Sequence, residues 1–204
     1  MNNAGVVNFD TLSRTRDGYK MHMATNHYGH FALTAHLFEV LCRTPYARIV
    51  ILSSLAYTAG EIRFDDMDWH ERAYSRTKAY GDSKLANLLF MRSLQKRLDR
   101  AGATAGVGVA AAHPGLTGTE RQQSIGIGGQ LAKWIASPVQ VGVAPQLLAA
   151  TVPNVGKCSF YASPFFIRGR PVKIETKDSV KDDILAEQLW SFTEKVTGCG
   201  MDVN

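Results

Sequence analysis

Apolar residues along this chain repeat in two ways, at helical spacing and in short continuous runs. Between Asp17 and Leu41, and again from Ala79 to about Arg100, they recur close to every 3.6 positions, which predicts two amphipathic helices. The spacing predicts two further helices over 139–151 and 178–196.

Short apolar runs separate these helices. The runs 48–54 and 107–113 are continuously apolar, the pattern of a strand buried on both faces of a parallel sheet, and 158–162 is a third candidate. Strands that alternate with helices predict an α/β fold with a mainly parallel sheet. The polar stretch 55–78 and the glycine-containing stretch 116–137 are predicted to be loops.

The composition fits one globular domain and excludes several classes of protein. The 204 residues, of which 45% are hydrophobic, can bury a core without disulfides, and the three cysteines form no CxxC pair. The net charge of +5 comes from basic residues scattered among acidic ones, which favours a solvated surface over a nucleic-acid-binding patch. We find neither a signal peptide nor a run of about 20 apolar residues, so we expect a cytoplasmic protein without a membrane span.

Two residues near the start of the second predicted helix suggest acid/base chemistry. Tyr80 and Lys84 are four positions apart, so their side chains lie on one helical face. A nearby ammonium group lowers the pKa of a tyrosine, which suits proton transfer to or from a hydroxyl group. Tyr74 and Lys78 share this spacing, but Tyr74 lies in the predicted loop, where the two side chains need not meet. The pattern therefore favours Tyr80 and Lys84.

Polar residues also end two of the predicted strands. Ser53 and Ser54 end the first strand, and His113 with Pro114 ends the second. Ligands of open α/β sheets bind outside the carboxyl ends of the strands, where a serine hydroxyl can polarise a carbonyl group. The alternative is that Ser54 only ends a strand. A functional role is favoured because Ser54, the Tyr80 and Lys84 pair and the end of the second strand are all predicted to lie at one edge of the sheet.

A group of histidines offers a different interpretation. The first predicted helix contains four of them: His22, His27, His30 and His36. The spacing of His27 and His30 could present two ligands to a metal ion, but a catalytic zinc site needs three protein ligands and no acidic residue at matching spacing supplies the third. We therefore predict no metal site, and we expect these histidines to be hydrogen-bonded or at the edge of the core.

Several short motifs occur in an order that resembles the short-chain dehydrogenase/reductase family. In chain order they are Asn2-Asn3-Ala4-Gly5, Asn26 within a Thr-Asn-His-Tyr-Gly-His-Phe segment, Ser54, Tyr80-x-x-x-Lys84 and Pro114-Gly115-x-x-x-Thr119. The stretches 25–34, 79–90 and 112–120 are most similar to the retinol-dehydrogenase-like branch and related bacterial oxidoreductases. The resemblance extends from residue 2 to about residue 175, and it implies a Rossmann-like, doubly wound parallel sheet.

The resemblance implies a role for each catalytic candidate. Tyr80 would be the general acid/base, and Lys84 would lower the pKa of Tyr80 and donate a hydrogen bond to the nicotinamide ribose. Ser54 would polarise the substrate carbonyl, and Asn26 would hold a water molecule of the proton relay. The expected reaction interconverts an alcohol and a carbonyl compound by hydride transfer with NAD or NADP.

The resemblance also implies a set of cofactor contacts. Besides Tyr80 and Lys84, these residues are Asn3, Ala4 and Gly5, which border the cofactor, and Pro114, Gly115 and Thr119, which contact the nicotinamide carboxamide. Position 113 and the loop 116–137 would cover the substrate.

One departure from the family pattern is large. Nothing in the sequence matches the glycine-rich turn T-G-x-x-x-G-x-G that binds the pyrophosphate, and Gly126-Ile-Gly128-Gly129 follows no strand and is a predicted loop. We therefore expect residues 1–204 to form a single, N-terminally truncated NAD(P)-binding domain. It would comprise the catalytic half, the substrate loop and a C-terminal helix over about 178–197. The sequence therefore does not indicate whether the cofactor is NAD or NADP.

Two functions follow from this sequence. The first is an oxidoreductase acting on a small hydrophobic alcohol or carbonyl compound, for which a homodimer is one option. The second is a non-catalytic remnant that retains the helices with which such families dimerise and acts, if at all, as an interaction protein. Aromatic residues that could line a hydrophobic substrate site, or could equally pack in the core, are Trp134, Phe160, Tyr161, Phe165 and Phe166.

Overall fold

The computed structural model describes residues 1–7, 9–101, 106–115, 142–163 and 169–201. Its α-helices are α1 (Met21–Met23), α2 (Gly29–Arg43), α3 (Arg76–Arg100), α4 (Ala144–Thr151), α5 (Asp178–Lys181) and α6 (Asp183–Thr197). Its strands are β1 (Arg48–Leu52), β2 (Gly108–Ala112), β3 (Ser159–Ala162) and β4 (Val172–Ile174). A π-helical segment, Ala24–Tyr28, joins α1 to α2, and a 3-10 helix, Leu55–Ala59, follows β1.

The strands form one mostly parallel sheet in the order β1-β2-β3-β4. The first three strands are parallel to one another, with Val50 opposite Ala110 and Ala111 opposite Phe160, and β4 pairs antiparallel to β3. On the other side of β1, Asn2 forms a parallel bridge with Ile51. The α/β prediction is confirmed, and so are the three parallel strands to within two residues at each end.

The alternation of side chains along β1 and β2 builds two separate cores. Ile49, Ile51 and Val109 point into a large cluster that includes α2, α3 and α6, whereas Val50 and Ala110 point into a smaller cluster with α4. Strands buried on both faces explain why their sequences are continuously apolar. The result is a sheet with helices on both faces.

The large core is centred on aromatic residues of three helices. Phe31 of α2 lies with its ring centroid 5.2 Å from that of Phe90 of α3 and 5.0 Å from that of Trp190 of α6. Phe160 is fully buried in the same cluster, and Tyr161 is buried in the smaller one. These two candidates for a substrate site are therefore packing residues, whereas Trp134, Phe165 and Phe166 lie outside the described residues.

The helix boundaries differ from the predicted ones at three places. The first helix begins at Met21 rather than Asp17, because Arg14 and Lys20 form an antiparallel bridge around a turn in which Gly18 has φ 87°. The helix predicted from Ala79 begins three residues earlier, at Arg76. The C-terminal helix is divided at Asp182, whose carboxylate accepts hydrogen bonds from the first backbone N–H groups of α6.

Two further predictions concern segments outside the regular elements. Residues 139–141 of the predicted helix 139–151 lie outside the described residues, and the rest of it contains α4. The predicted loop 116–137 also lies outside the described residues. None of the helices in the described part of the chain is both long and apolar enough to cross a bilayer.

Candidate active site

The ends of β1 and β2 bring together the polar residues that follow these strands. The Ser53 N–H donates to the Ala112 carbonyl at 2.9 Å, and the His113 N–H donates to the Tyr161 carbonyl at 2.8 Å, so the ladder continues one residue past each strand. Parallel strands present their carboxyl ends at one edge of the sheet, where ligands of this fold class bind. The predicted convergence of Ser54 and Pro114 on this edge follows from that geometry.

The first turns of α3 bring Tyr80 and Lys84 to the same edge. The Lys84 Nζ donates to the Leu52 carbonyl at 3.3 Å and lies 5.4 Å from the centroid of the Tyr80 ring. Asn87, three residues further along, donates to the same carbonyl at 2.9 Å. The last carbonyl group of β1 thus fixes the helical face that carries the tyrosine and the lysine.

The two serines after β1 have different partners. The Ser53 hydroxyl donates to the Lys84 carbonyl at 2.8 Å, which ties the strand end to α3. The Ser54 hydroxyl accepts the Ala56 N–H at 3.3 Å at the start of the 3-10 helix, and it is hydrogen-bonded to Tyr80. Of the two, Ser54 is therefore the one beside the phenol.

The titration of the acid/base pair differs from the expectation in one respect. Burial raises the pKa of Tyr80 above its ordinary value, while the hydrogen bond with Ser54 lowers it. Burial also lowers the pKa of Lys84 to about 8. The predicted fall in the pKa of Tyr80 through Lys84 is not seen, because desolvation of the phenol is the largest cause of the shift and outweighs the hydrogen bond with Ser54.

Asn26 lies in the π-helical segment and is fully buried. Its side-chain oxygen accepts the Val6 N–H at 2.8 Å, and its amide nitrogen donates to the Val6 carbonyl and to the Ser83 hydroxyl, both at 3.0 Å. The His30 Nδ1 donates to the main-chain carbonyl of Asn26 at 2.9 Å. Asn26 therefore connects the N-terminal segment to the helix that carries Tyr80.

The N-terminal segment approaches the lysine closely at Gly5. A Cβ atom at this position would lie 3.2 Å from the Asn26 Oδ1 and 3.8 Å from the Lys84 Nζ. A side chain there would crowd both groups, which is a physical reason for glycine at this position.

Several of these residues surround a cavity of about 420 Å³, whereas Ser54 and Asn26 lie behind its lining residues. Its lining includes Asn3, Gly5, Ser53, Tyr80, Lys84 and Pro114. On the other side it is bounded by Gly142, Val143 and Gln146, at and just before the start of α4. A larger groove of about 680 Å³ lies between α3 and α6 and shares none of these lining residues. The cavity has the size and the mixed polar and apolar lining of a small-molecule site.

The remaining predicted site residues have different positions. Ala4 is exposed, and Gly115 follows Pro114 with φ 75° and is buried. Thr119 lies outside the described residues. The alternative tyrosine, Tyr74, donates its hydroxyl to the Phe9 carbonyl at 2.8 Å, in the loop that precedes α3.

The histidines of the first helix have separate hydrogen-bond partners. His27 lies between the Asn87 Oδ1 at 3.3 Å and the Thr193 hydroxyl at 3.0 Å, and the His22 Nε2 donates to the Val7 carbonyl at 2.9 Å. Within the described ranges, no three or more His, Cys, Asp and Glu residues are grouped so that they could hold a metal ion.

Sequence reasoning alone did not identify several residues that hold this site together. Ser83 and Asn87 belong to the amphipathic pattern of α3, so nothing in the sequence separates them from other polar helix positions. Asp82 and its partner Lys20 are both buried, although charged side chains are usually exposed. Asn26 was found only through the family resemblance, since by itself it is an ordinary polar residue in a helix.

Comparison with known proteins gives consistent matches. The family described as short chain dehydrogenase matches residues 1–128. Human retinol dehydrogenase 13 is 35% identical over 203 residues, which cover 97% of this chain and 60% of that protein. Mouse retinol dehydrogenase 12 is 48% identical over 120 residues, which cover 59% of this chain and 36% of that protein.

A solved structure supports the same relationship at the level of the fold. The crystal structure of an uncharacterised protein from Mycobacterium paratuberculosis superposes with a TM-score of 0.81 at 35% sequence identity. The match covers 98% of this chain and 67% of that one. The chain therefore spans 60% of the length of retinol dehydrogenase 13 and 36% of the length of retinol dehydrogenase 12.

Proposed function

Because the chain belongs to the short-chain dehydrogenase family, we propose that it interconverts an alcohol and its carbonyl compound by hydride transfer with a nicotinamide cofactor. One observation carries the proposal. Tyr80, hydrogen-bonded to Ser54, lines the same cavity as the Lys84 ammonium, at the carboxyl ends of two parallel strands. The cofactor supplies or accepts the hydride, and the protein supplies orientation and the proton.

In the direction of carbonyl reduction, Tyr80 donates its phenolic proton to the substrate oxygen. Burial keeps the pKa of Tyr80 above its ordinary value, so the phenol is protonated at neutral pH and ready to donate. Ser54, whose hydrogen bond lowers the pKa of the phenol, polarises the same oxygen. Lys84, which lines the same cavity, would hold the nicotinamide ribose by donating a hydrogen bond to one of its hydroxyl groups.

The residues around the cavity fit the nicotinamide end of the cofactor. Gly5 leaves open the space beside the Lys84 ammonium that a side chain would occupy, and Asn3 and Pro114 line the same cavity. Ala4, Gly115 and Thr119 complete the proposed cofactor contacts. Asn26 is proposed to order a water molecule that relays the proton, since it already bridges the N-terminal segment and α3.

We infer the substrate class from the relatives and from the cavity lining. The relatives are named retinol dehydrogenases, and the apolar residues Val6, Val7, Leu52 and Val143 line the cavity beside its polar end. A hydrophobic primary alcohol of the retinol type, or its aldehyde, is the first substrate to test.

The test compares two tyrosines that share the same spacing to a lysine. Tyr80→Phe removes the proposed acid/base, and we expect cofactor-dependent reduction of retinal to fall by about a hundredfold or more while the fold is kept. Tyr74→Phe removes a phenol whose hydroxyl bonds to a loop carbonyl, and we expect it to keep activity within threefold. The measurement is the rate of NADPH or NADH oxidation by the purified chain.

Two results would count against the proposal. Normal turnover by the Tyr80→Phe variant would remove Tyr80 from the mechanism. A wild-type chain that neither turns over nor binds NADPH or NADH at millimolar concentration, judged by nicotinamide fluorescence, would favour the non-catalytic alternative.

A further inference from the structure

A buried group of charges lies on the side of α3 away from the cavity. Asp82 follows Tyr80 by two positions, which places its side chain on the opposite side of the helix. Its Oδ2 accepts hydrogen bonds from the Lys20 Nζ at 3.2 Å, the Trp69 Nε1 at 2.9 Å and the Arg72 Nη2 at 3.2 Å. Asp82 thus collects donors from several distant segments.

The charges within this group are balanced. Lys20 is fully buried and pairs with Asp82, while Arg72 pairs with both Asp82 and Asp66. Arg72 also stacks on the Trp69 ring, 4.0 Å from its centroid. A buried ion pair contributes little net stability, but removing one partner leaves a buried charge uncompensated, so the group favours one arrangement of its segments.

The other oxygen of Asp82 reaches the segment that begins with Ser54. The Asp82 Oδ1 accepts the Glu61 N–H at 2.9 Å. This bond lies directly beside the closest backbone approach of the site, because a Cβ atom on Gly60 would lie 2.4 Å from the Gly81 carbonyl oxygen. A Cβ atom on Gly81 would lie 2.5 Å from the Ala56 carbonyl oxygen. Residues 56–61 therefore lie with their backbone directly on the turn of α3 that carries Tyr80.

We propose that Asp82 is a positioning residue that, through the Glu61 N–H, holds segment 54–61 on the turn of α3 that carries Tyr80 and so sets the Ser54 hydroxyl against Tyr80. The other three donors hold the Asp82 carboxylate in place. Lys20 supplies the buried counter-charge without touching the segment itself. The effect on turnover rests on the proposed function, whereas the effect on the segment does not.

The positioning role can be tested apart from the buried charges by removing one backbone hydrogen bond, the one from the Glu61 N–H to Asp82. Glu61→Pro replaces the N–H that Asp82 accepts with a ring Cδ atom, which separates the Asp82 carboxylate from the segment without deleting a charged side chain of the buried group. Gly60, at ψ 150°, already has the extended backbone required before a proline. Glu61→Ala keeps the N–H and removes the same exposed side chain, so it is the matched control. We expect Glu61→Pro to lower kcat about tenfold to a hundredfold with the cofactor KM within threefold, and Glu61→Ala to change neither.

The second comparison separates positioning from stability. In Asp82→Asn, the amide oxygen takes the place of Oδ2, where three donors converge, and the NH2 group faces the Glu61 N–H. The bond to the segment is therefore lost, and Lys20 becomes an uncompensated buried cation. Adding Lys20→Met removes that cation. We expect the double variant to regain the thermal stability that Asp82→Asn loses but to stay low in kcat. Asp183→Asn, which alters an exposed ion pair, is expected to leave kcat unchanged.

Hydrogen exchange of the 54–61 amides gives a readout that does not need activity. We expect faster exchange in Glu61→Pro and Asp82→Asn, and wild-type exchange in Glu61→Ala. Unchanged exchange in both of the first two variants, or a kcat that recovers together with stability in the double variant, would overturn the positioning role. Faster exchange in a chain whose wild type has no turnover would support it while overturning the proposed function.

Discussion

At the scale of single residues, burial decides how the acid/base pair titrates. Tyr80 and Lys84 both lie in a site with little water, which disfavours the phenolate of the first and the ammonium of the second. The two shifts move the groups apart in pKa, since the pKa of Tyr80 rises from 10.0 and that of Lys84 falls from 10.5 to about 8. Tyr80 therefore keeps its proton at neutral pH, as a group that donates a proton must.

This titration predicts a pH dependence of cofactor binding. The pKa of Lys84 is about 8, so its ammonium is present below that pH and is lost as the pH rises through 8. We expect the affinity for NADPH or NADH to fall about tenfold between pH 7 and pH 9.5, and Lys84→Met to bind weakly at all pH values with a flat profile. Fluorescence titration of the cofactor measures both. A wild-type fall that persists in Lys84→Met would assign the titration to another group.

At the scale of elements, the π-helical segment connects the N-terminal segment to α3. Its wider turn carries Asn26, whose amide bonds both Val6 and Ser83. A Cβ atom on Gly5 would be tight against this amide, at 3.2 Å from the Asn26 Oδ1, and in ordinary contact with the Lys84 Nζ at 3.8 Å. The cavity wall therefore depends on the packing of a segment without regular structure.

The tightness of this packing is testable at Gly5. Gly5→Ala would place a Cβ atom 3.2 Å from the Asn26 Oδ1, and we expect it to weaken cofactor binding about tenfold and to lower stability by about 1 kcal/mol. The control is Gly200→Ala, whose Cβ would meet its nearest neighbour, the Glu194 Oε1, at an ordinary 3.6 Å. Cofactor titration and urea unfolding report the two effects. If the two variants had the same cofactor affinity and the same stability, the N-terminal segment would accommodate the added methyl group without a loss of either.

The predictable elements are those with a strong apolar pattern. Strands β1 and β2 are buried on both faces and helix α3 has a long amphipathic pattern, so the sequence was sufficient to predict them. Strand β4 was missed because its three residues are exposed or half-buried and follow no apolar run. The π-helical segment has no pattern of its own, since its geometry comes from the tertiary hydrogen bonds of Asn26.

The residues of the site also fall into those that the sequence predicts and those that it does not. Spacing and strand ends indicated Tyr80, Lys84 and Ser54 because these positions depend on local geometry. Lys20 and Asp82 could not be predicted as a buried pair, because they are 62 positions apart in the sequence and only the fold brings them together. Long-range pairing of charges leaves no signature in a single sequence.

At the scale of the whole molecule, His27 connects three helical elements. It belongs to the π-helical segment and contacts Asn87 of α3 and Thr193 of α6. Burial lowers its pKa to about 4, so His27 is neutral in the folded protein. The unfolded chain, with an ordinary histidine pKa near 6.5, binds a proton that the folded chain does not bind between pH 6.5 and 4.

We therefore expect stability to be full above pH 6.5 and to fall as the pH decreases through this window. His27 alone accounts for about 3 kcal/mol over the full window, and His113, with a pKa also lowered to about 4, adds to the fall. His27→Gln is expected to be less stable at pH 7.5 but to lose less between pH 7.5 and pH 5. Urea unfolding at the two pH values measures the difference. An unchanged loss in His27→Gln would place the acid sensitivity elsewhere.

The pleat of β1 has a consequence for the two serines that follow it. Successive residues of the strand face opposite cores, and Ser53 continues this alternation on the side of α3, where it meets the Lys84 carbonyl. Ser54 also contacts α3, at Tyr80, because it begins the 3-10 helix, where the chain leaves the strand. Deleting one residue from the strand would preserve both serines in the sequence, yet Ser54 would take the position of Ser53 and Ser53 would turn toward the smaller core.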